Sequence, residues 1–220
     1  MLKACSILAS LLLLASVLAA SCRREPPQSG VAKTPPPVDR AELQAFVPLP
    51  SSVPVADGAS SDEMIALGRM LYYEPRLSKS QQISCNTCHD LSKYGVDGEP
   101  TSDGHKGQKG ERNSPTVFNA AAHFAQFWDG RAADVEEQAK GPVVNPVEMA
   151  MPGPSYVVKV LESMPEYVER FHRAFPNESQ PVTYDNMAKA IGAFERRLMT
   201  PSRWDALLNG DAGALTDEER

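Results

Sequence analysis

Residues 85–89 read Cys-Asn-Thr-Cys-His, and no other short run constrains the fold of this chain so strongly. Two thiols spaced by two residues and followed at once by an imidazole form the attachment site of a c-type haem. Both sulfurs bond covalently to the porphyrin edge, and the histidine supplies an axial nitrogen to the iron. The folded part must then build its core around a haem. Two other readings of the paired cysteines stay open at the level of the residues. A redox dithiol would want a thioredoxin-like strand and helix around it, and a four-ligand zinc site would need a second metal-binding pair, which the sequence does not show.

The start of the chain indicates where such a group could be attached. Residues 1–21 have the pattern of an export signal peptide: Lys3 at a short basic start, an apolar run from Ile7 to Ala20, and small residues Ala19, Ala20 and Ser21 before a cleavage point. The apolar run falls short of the roughly 20 residues that cross a bilayer. Ser21-Cys22 resembles the end of a lipoprotein signal, so lipid anchoring through Cys22 and simple release into the periplasm are both expected outcomes. Residues 22–56 carry eight prolines, among them Pro35, Pro36 and Pro37, with few apolar anchors, and read as a disordered tether. The haem domain is expected over 57–220. Removing Lys3 with the leader leaves 21 basic against 28 acidic side chains, a net charge near −7. That balance argues against nucleic acid and allows a small redox protein with a basic patch.

Helical signals dominate the rest. Ser61, Asp62 and Glu63 open a helix whose face holds Met64, Ile65, Leu67, Leu71 and Tyr72, ending before Pro75. The glycine-rich stretch 93–113 reads as a long loop of the kind that wraps a cofactor. Helices are expected over 115–123, 132–140, 155–164 and 165–175, and from Thr183 through Leu198. Thr216 to Glu219 has the spacing of a capping box. No alternating strand pattern is long enough for a sheet. The fold class is therefore mostly α, a c-type cytochrome-like haem domain with long ligand-wrapping loops.

A succession of motifs in one order carries a resemblance. It runs from Leu67-Gly68-Arg69-Met70-Leu71-Tyr72-Tyr73 through Ile83-Ser84 and the Cys85–His89 run to Gly104-His105-Lys106-Gly107. It continues through Arg112-Asn113-Ser114-Pro115-Thr116, Phe127-Trp128-Asp129-Gly130-Arg131, Gln138-Ala139-Lys140-Gly141-Pro142 and Asn145-Pro146-Val147-Glu148-Met149. The chain resembles the bacterial dihaem cytochrome c peroxidases and their MauG-group relatives over about residues 60–220. Family members carry a second Cys-x-x-Cys-His in a C-terminal haem domain, expected to begin about where this sequence ends.

The resemblance implies one covalent haem c in this chain and two in the full protein. Cys85 and Cys88 would hold it, with His89 as proximal iron ligand and His105 as the displaceable histidine on the opposite face. Glu148 would be the acid and base that moves the peroxide proton, with Gln138 beside it, because an amide can position peroxide but transfers protons poorly. Trp128 would lie on the electron route between the haems, and Asn113 would be one ligand of a calcium site completed by the missing half. Met149 and Met151 are read as core residues rather than haem ligands. The implied activity is reduction of hydrogen peroxide to water, with electrons from a small c-type cytochrome or a cupredoxin. A MauG-like oxidase of an organic or protein substrate and a monohaem electron carrier are the alternatives, and a homodimer is among the expected assemblies.

Overall fold

The computed structural model describes residues 41–55 and 60–219. The expected export signal, Cys22, the tether up to residue 40 and the domain boundary at 56–57 lie outside the described residues.

Helix α1, Asp62–Tyr72, begins where the side-chain chemistry asks it to. Ser61 Oγ accepts the Met64 N–H at 3.2 Å, and Asp62 and Glu63 occupy the positive first turn. Leu67, Leu71 and Tyr72 on its inner face are fully buried. A 3-10 turn at Pro75–Leu77 follows, and then a single helical turn, α2, Cys85–Cys88. Ser84 and Thr87 close a capping box around α2, the Thr87 hydroxyl accepting the Ser84 N–H at 3.0 Å.

The expected loop over 93–113 has no helix beyond a 3-10 turn at His105–Gly107. Residues 115–123 differ from expectation. Only Ala120–Ala122 coil, as one 3-10 turn, because Asn119 takes a left-handed φ of 61° that stops a helix from running through. The segment instead runs irregularly past α2.

Four further helices complete the expected set: α3 Val135–Val144, α4 Pro154–Glu162, α5 Pro165–Ala174 and α6 Tyr184–Glu195. Asp134 caps α3 and Thr183 caps α6 through their side-chain oxygens. Helix α3 outruns its expected end at Lys140 and carries Pro142 inside it. A last helix, α7 Arg203–Leu208, was not legible from periodicity, being too short to show one. Thr216 and Glu219 do meet in capping-box fashion, the carboxylate accepting the Thr216 N–H at 2.7 Å, but they close a turn rather than a helix. Isolated bridges join Asp103 to Lys109 and Gln126 to Ala132, and among the described residues no helix is long and apolar enough to cross a membrane. The fold is mostly helical.

Helix α6 is the hub. It packs on α1, α3 and α4, and Met187, Ala188, Ala190, Ile191 and Ala193 are buried to within 1% exposure. Each large apolar side chain buried this way contributes about 1.5–3 kcal/mol. Met149 and Met151, both 3% exposed, belong to the same core. The α1–α6 crossing is so close that a Cβ on Gly68 would stand 1.7 Å from the Ala190 carbonyl oxygen. Gly68→Ala must push the two helices apart. It should lower stability by about 3 kcal/mol or more, read as the midpoint of thermal or urea unfolding; an unchanged midpoint would refute the close crossing.

Residues 41–55 fall within the stretch expected to be a disordered tether, and here the structure differs. A 3-10 turn at Glu42–Ala45 leads into extended chain pinned to the domain. Phe46 meets Trp204 edge to face at 5.4 Å, Asp205 Oδ1 accepts the Leu49 N–H at 2.6 Å, and the Val53 N–H donates to the Arg196 carbonyl at 3.0 Å. The prolines help here, since a backbone already restricted in φ loses less entropy on docking. Hydrogen bonds from the Leu49 and Ser202 N–H groups and the Ser202 hydroxyl hold the Asp205 carboxyl down to about 2, against an ordinary 3.8. A depressed carboxyl stabilises fully above its ordinary value and stops doing so as pH falls toward 2. Proteolysis within residues 41–55 should therefore accelerate below pH 4 and become pH-independent in Asp205→Ala.

Candidate functional site

The functional site follows from how α2 is held. Tyr72, at the end of α1, donates its hydroxyl to the His89 carbonyl oxygen at 2.6 Å. The His89 ring is fixed separately: Nδ1 lies 2.9 Å from the Pro115 carbonyl oxygen. A carbonyl only accepts, so Nδ1 carries the proton and Nε2 keeps its lone pair, as a metal-ligating histidine needs. Burial also lowers the His89 pKa and favours this neutral ring, with the Pro115 hydrogen bond opposing it. The irregular path of residues 115–119 thus has a use, because it delivers an acceptor that a helix would have kept for itself.

A cavity of about 560 Å³ adjoins α2. Cys85, Cys88 and His89 line it, together with Gln138 from α3, Glu148 from the turn after α3, and Asn113 and Trp128 from the loops. Its volume and donor set, two thiols and a neutral imidazole from one turn, fit a haem held by two thioethers. Burial pushes the Cys85 thiol up to about 12 and raises that of Cys88. This is the opposite of the depressed thiol that a redox dithiol uses. Among the described residues no group of three or more His, Cys, Asp or Glu side chains is placed to hold a metal ion, so no zinc centre is assembled from them.

Burial raises the Glu148 carboxyl above its ordinary 4.5, with Arg131 pulling the other way. Arg131 stacks 3.5 Å over the Phe127 ring and pairs with Asp129 at 2.8 Å, while Arg112 reaches the same carboxylate at 3.1 Å. Trp128, 61% exposed, donates its indole N–H to the Asn113 carbonyl at 3.0 Å. This ties together two residues that the sequence could only list separately.

His105 stands apart from the others. It is buried, its Nδ1 has no hydrogen-bond partner, and it does not line the cavity. Its backbone N–H donates to both the Val147 and Glu148 carbonyls, at 2.9 and 2.8 Å, so the loop is docked on the strand of chain that carries Glu148. Of its flanking glycines, Gly107 supplies a left-handed φ of 72°. Gly104 serves close packing instead, since a Cβ there would lie 1.9 Å from the Val147 carbonyl oxygen. The glycines expected to loosen this loop therefore split between one that bends it and one that fastens it.

Sequence reasoning passed over Glu195. This residue ends α6, is 5% exposed and lines the same cavity, and burial beside Glu136 pushes its carboxyl up to about 8. As one of 28 acidic residues it carries no local signal. Only the helix that places it among apolar neighbours distinguishes it.

The family model for di-haem cytochrome c peroxidase matches residues 62–213. Cytochrome c551 peroxidase of Pseudomonas aeruginosa is 51% identical over 177 residues, covering 80% of this chain and 51% of that protein. The methylamine utilization protein MauG of Paracoccus denitrificans is 34% identical, covering 77% of this chain and 51% of that protein. A crystal structure of a MauG-like protein associated with microbial copper homeostasis superposes with a TM-score of 0.67 at 31% identity, over 74% of this chain and 50% of that one. The chain spans about half the length of the curated relatives it matches. Family membership implies haem c as cofactor. The chain belongs to the di-haem cytochrome c peroxidase family.

Proposed function

We propose that this chain is the peroxide-reducing haem domain of an exported bacterial peroxidase, which converts hydrogen peroxide to water with electrons from a small redox protein. The observation that carries the reading is His89, its Nδ1 held by the Pro115 carbonyl, in one cavity with the raised carboxyl of Glu148. Cys85 and Cys88 would hold the haem by thioethers and His89 would ligate the iron. The haem supplies the redox chemistry that splits the peroxide bond.

The protein's own task is to handle protons and position peroxide. Hydrogen peroxide needs two electrons and two protons to leave as water. Glu148 as carboxylate takes the proton from one peroxide oxygen and returns it to the other, which becomes the leaving water. Gln138 orients the peroxide through its amide. Arg131 keeps the carboxylate form of Glu148 within reach by opposing its burial. His105 would be the displaceable histidine of the iron, released by movement of its loop, and Trp128 would carry electrons from a second haem in a C-terminal domain. That domain would complete the calcium site at Asn113. The donor is a c-type cytochrome or cupredoxin, attracted by the excess of acidic side chains. Residues 1–21 direct export to the periplasm, residue 57 begins the haem domain, and Cys22 is acylated or simply released.

Intact mass after denaturation should show one haem in the wild type and none when both Cys85 and Cys88 are replaced by alanine. Glu148→Gln should lower the rate of the reaction with peroxide by about 10²–10⁴-fold in the haem-loaded chain. In the wild type the rate should rise with pH through a value above 4.5, since a buried carboxyl loses its proton late. A Glu148→Gln rate equal to wild type, measured by stopped-flow haem absorbance, sinks the proton-shuttle assignment.

A further inference from the structure

Tyr72 and Tyr73 lie outside the mechanism above, yet they connect the haem site to solvent. Tyr72 is fully buried, packs with Cys85 in the cluster it shares with Val117 and Phe194, and bonds to the His89 carbonyl at 2.6 Å. One phenol thus bonds to the backbone of the motif's histidine and belongs to the cluster on which Cys85 packs. The Tyr73 ring stands 5.4 Å from the Tyr72 ring, edge to face at 70°, and is 42% exposed. The ring path thus runs from Cys85 through Tyr72 to Tyr73 and ends in water. Phe194 also meets Tyr72 at 5.4 Å, but a phenyl ring is much harder to oxidise than a phenol and makes that branch a dead end.

We propose that Tyr72 and Tyr73 form an oxidation route from the haem pocket to the protein surface, used when peroxide has reacted and no reducing partner is docked. The inference rests on the haem peroxidase reading. Cleaving the peroxide bond takes two electrons. Without a donor, the haem would supply one and Tyr73 the other, relayed through Tyr72. Tyr73 releases its phenolic proton to solvent and keeps an unpaired electron on its ring. Tyr72 serves as a relay and not as an end point, because its hydroxyl faces a carbonyl oxygen that cannot take the proton away. The route spends oxidising equivalents at an exposed side chain, away from the cysteines and core methionines.

The test uses the haem-loaded chain, with peroxide, no electron donor and a nitroso spin trap, followed by peptide mass spectrometry and freeze-quench electron paramagnetic resonance. The route requires a tyrosyl signal and trap adducts on Tyr73 well above those on Tyr156, an exposed tyrosine on α4 outside the ring path. Tyr72→Phe keeps the ring but removes the easily oxidised phenol, and should reduce Tyr73 labelling to the Tyr156 level. Tyr73→Phe should abolish the surface adduct while the haem spectrum still responds to peroxide. A responding haem with Tyr73 labelled no more than Tyr156, or labelled equally in wild type and Tyr72→Phe, overturns the route. If Tyr72→Phe fails to fold, the comparison of Tyr73 with Tyr156 in the wild type decides alone. A haem spectrum that peroxide leaves unchanged refutes the peroxidase reading, and the route falls with it.

Discussion

The arrangement depends on how His89 is held from two directions. Its carbonyl oxygen accepts the Tyr72 hydroxyl from α1, and its ring donates to the Pro115 carbonyl from the irregular segment that follows the glycine-rich loop. One bond ties the motif turn to the helical core, and the other ties it to the loops. The four residues of α2 are too few to hold a geometry by helix propensity. Its orientation is borrowed from these neighbours. The neutral tautomer follows from the same contacts, so the bonds that set the position of His89 also set its chemistry.

The core explains why those neighbours stand where they do. Gly68 lets α1 approach the backbone of α6, which brings Tyr72 down onto the His89 carbonyl and Glu195 to the cavity wall. Gly104 does the same on the other side, docking the His105 loop against the carbonyls of Val147 and Glu148. Two glycines that could be taken for flexible points thus serve as tight joints. Burial then acts on the groups gathered there, raising the thiols and the carboxyls of Glu148 and Glu195 while lowering His89. All five shifts favour the neutral form, as a cavity prepared for an apolar macrocycle requires.

Sequence signals were strongest where chemistry is local. The caps at Ser61 and Thr183 both form, and each starts its helix next to the capping residue. Signals failed where a remote partner overrides local preference. Residues 115–123 are helix-compatible but bend at Asn119 to reach His89. Residues 41–55 resemble a free tether until Trp204, Asp205 and Arg196 give them contacts. Helix α7 is short enough that its capping box, Ser202 with Asp205, was its clearest sign.

The amino-acid sequence by itself determined the Cys-x-x-Cys-His run, the mostly helical class and the family, because each is written in contiguous motifs whose chemistry needs no distant partner. Only the tertiary structure decided which groups share the cavity. It joined Cys85, Cys88 and His89 to Glu148 and Gln138, added Glu195 and the Tyr72 contact, and left His105 outside the lining. The physical reason is that burial and hydrogen-bond partnership are properties of the packed chain. A carboxylate becomes distinctive through its surroundings, and those surroundings come from residues far away in sequence.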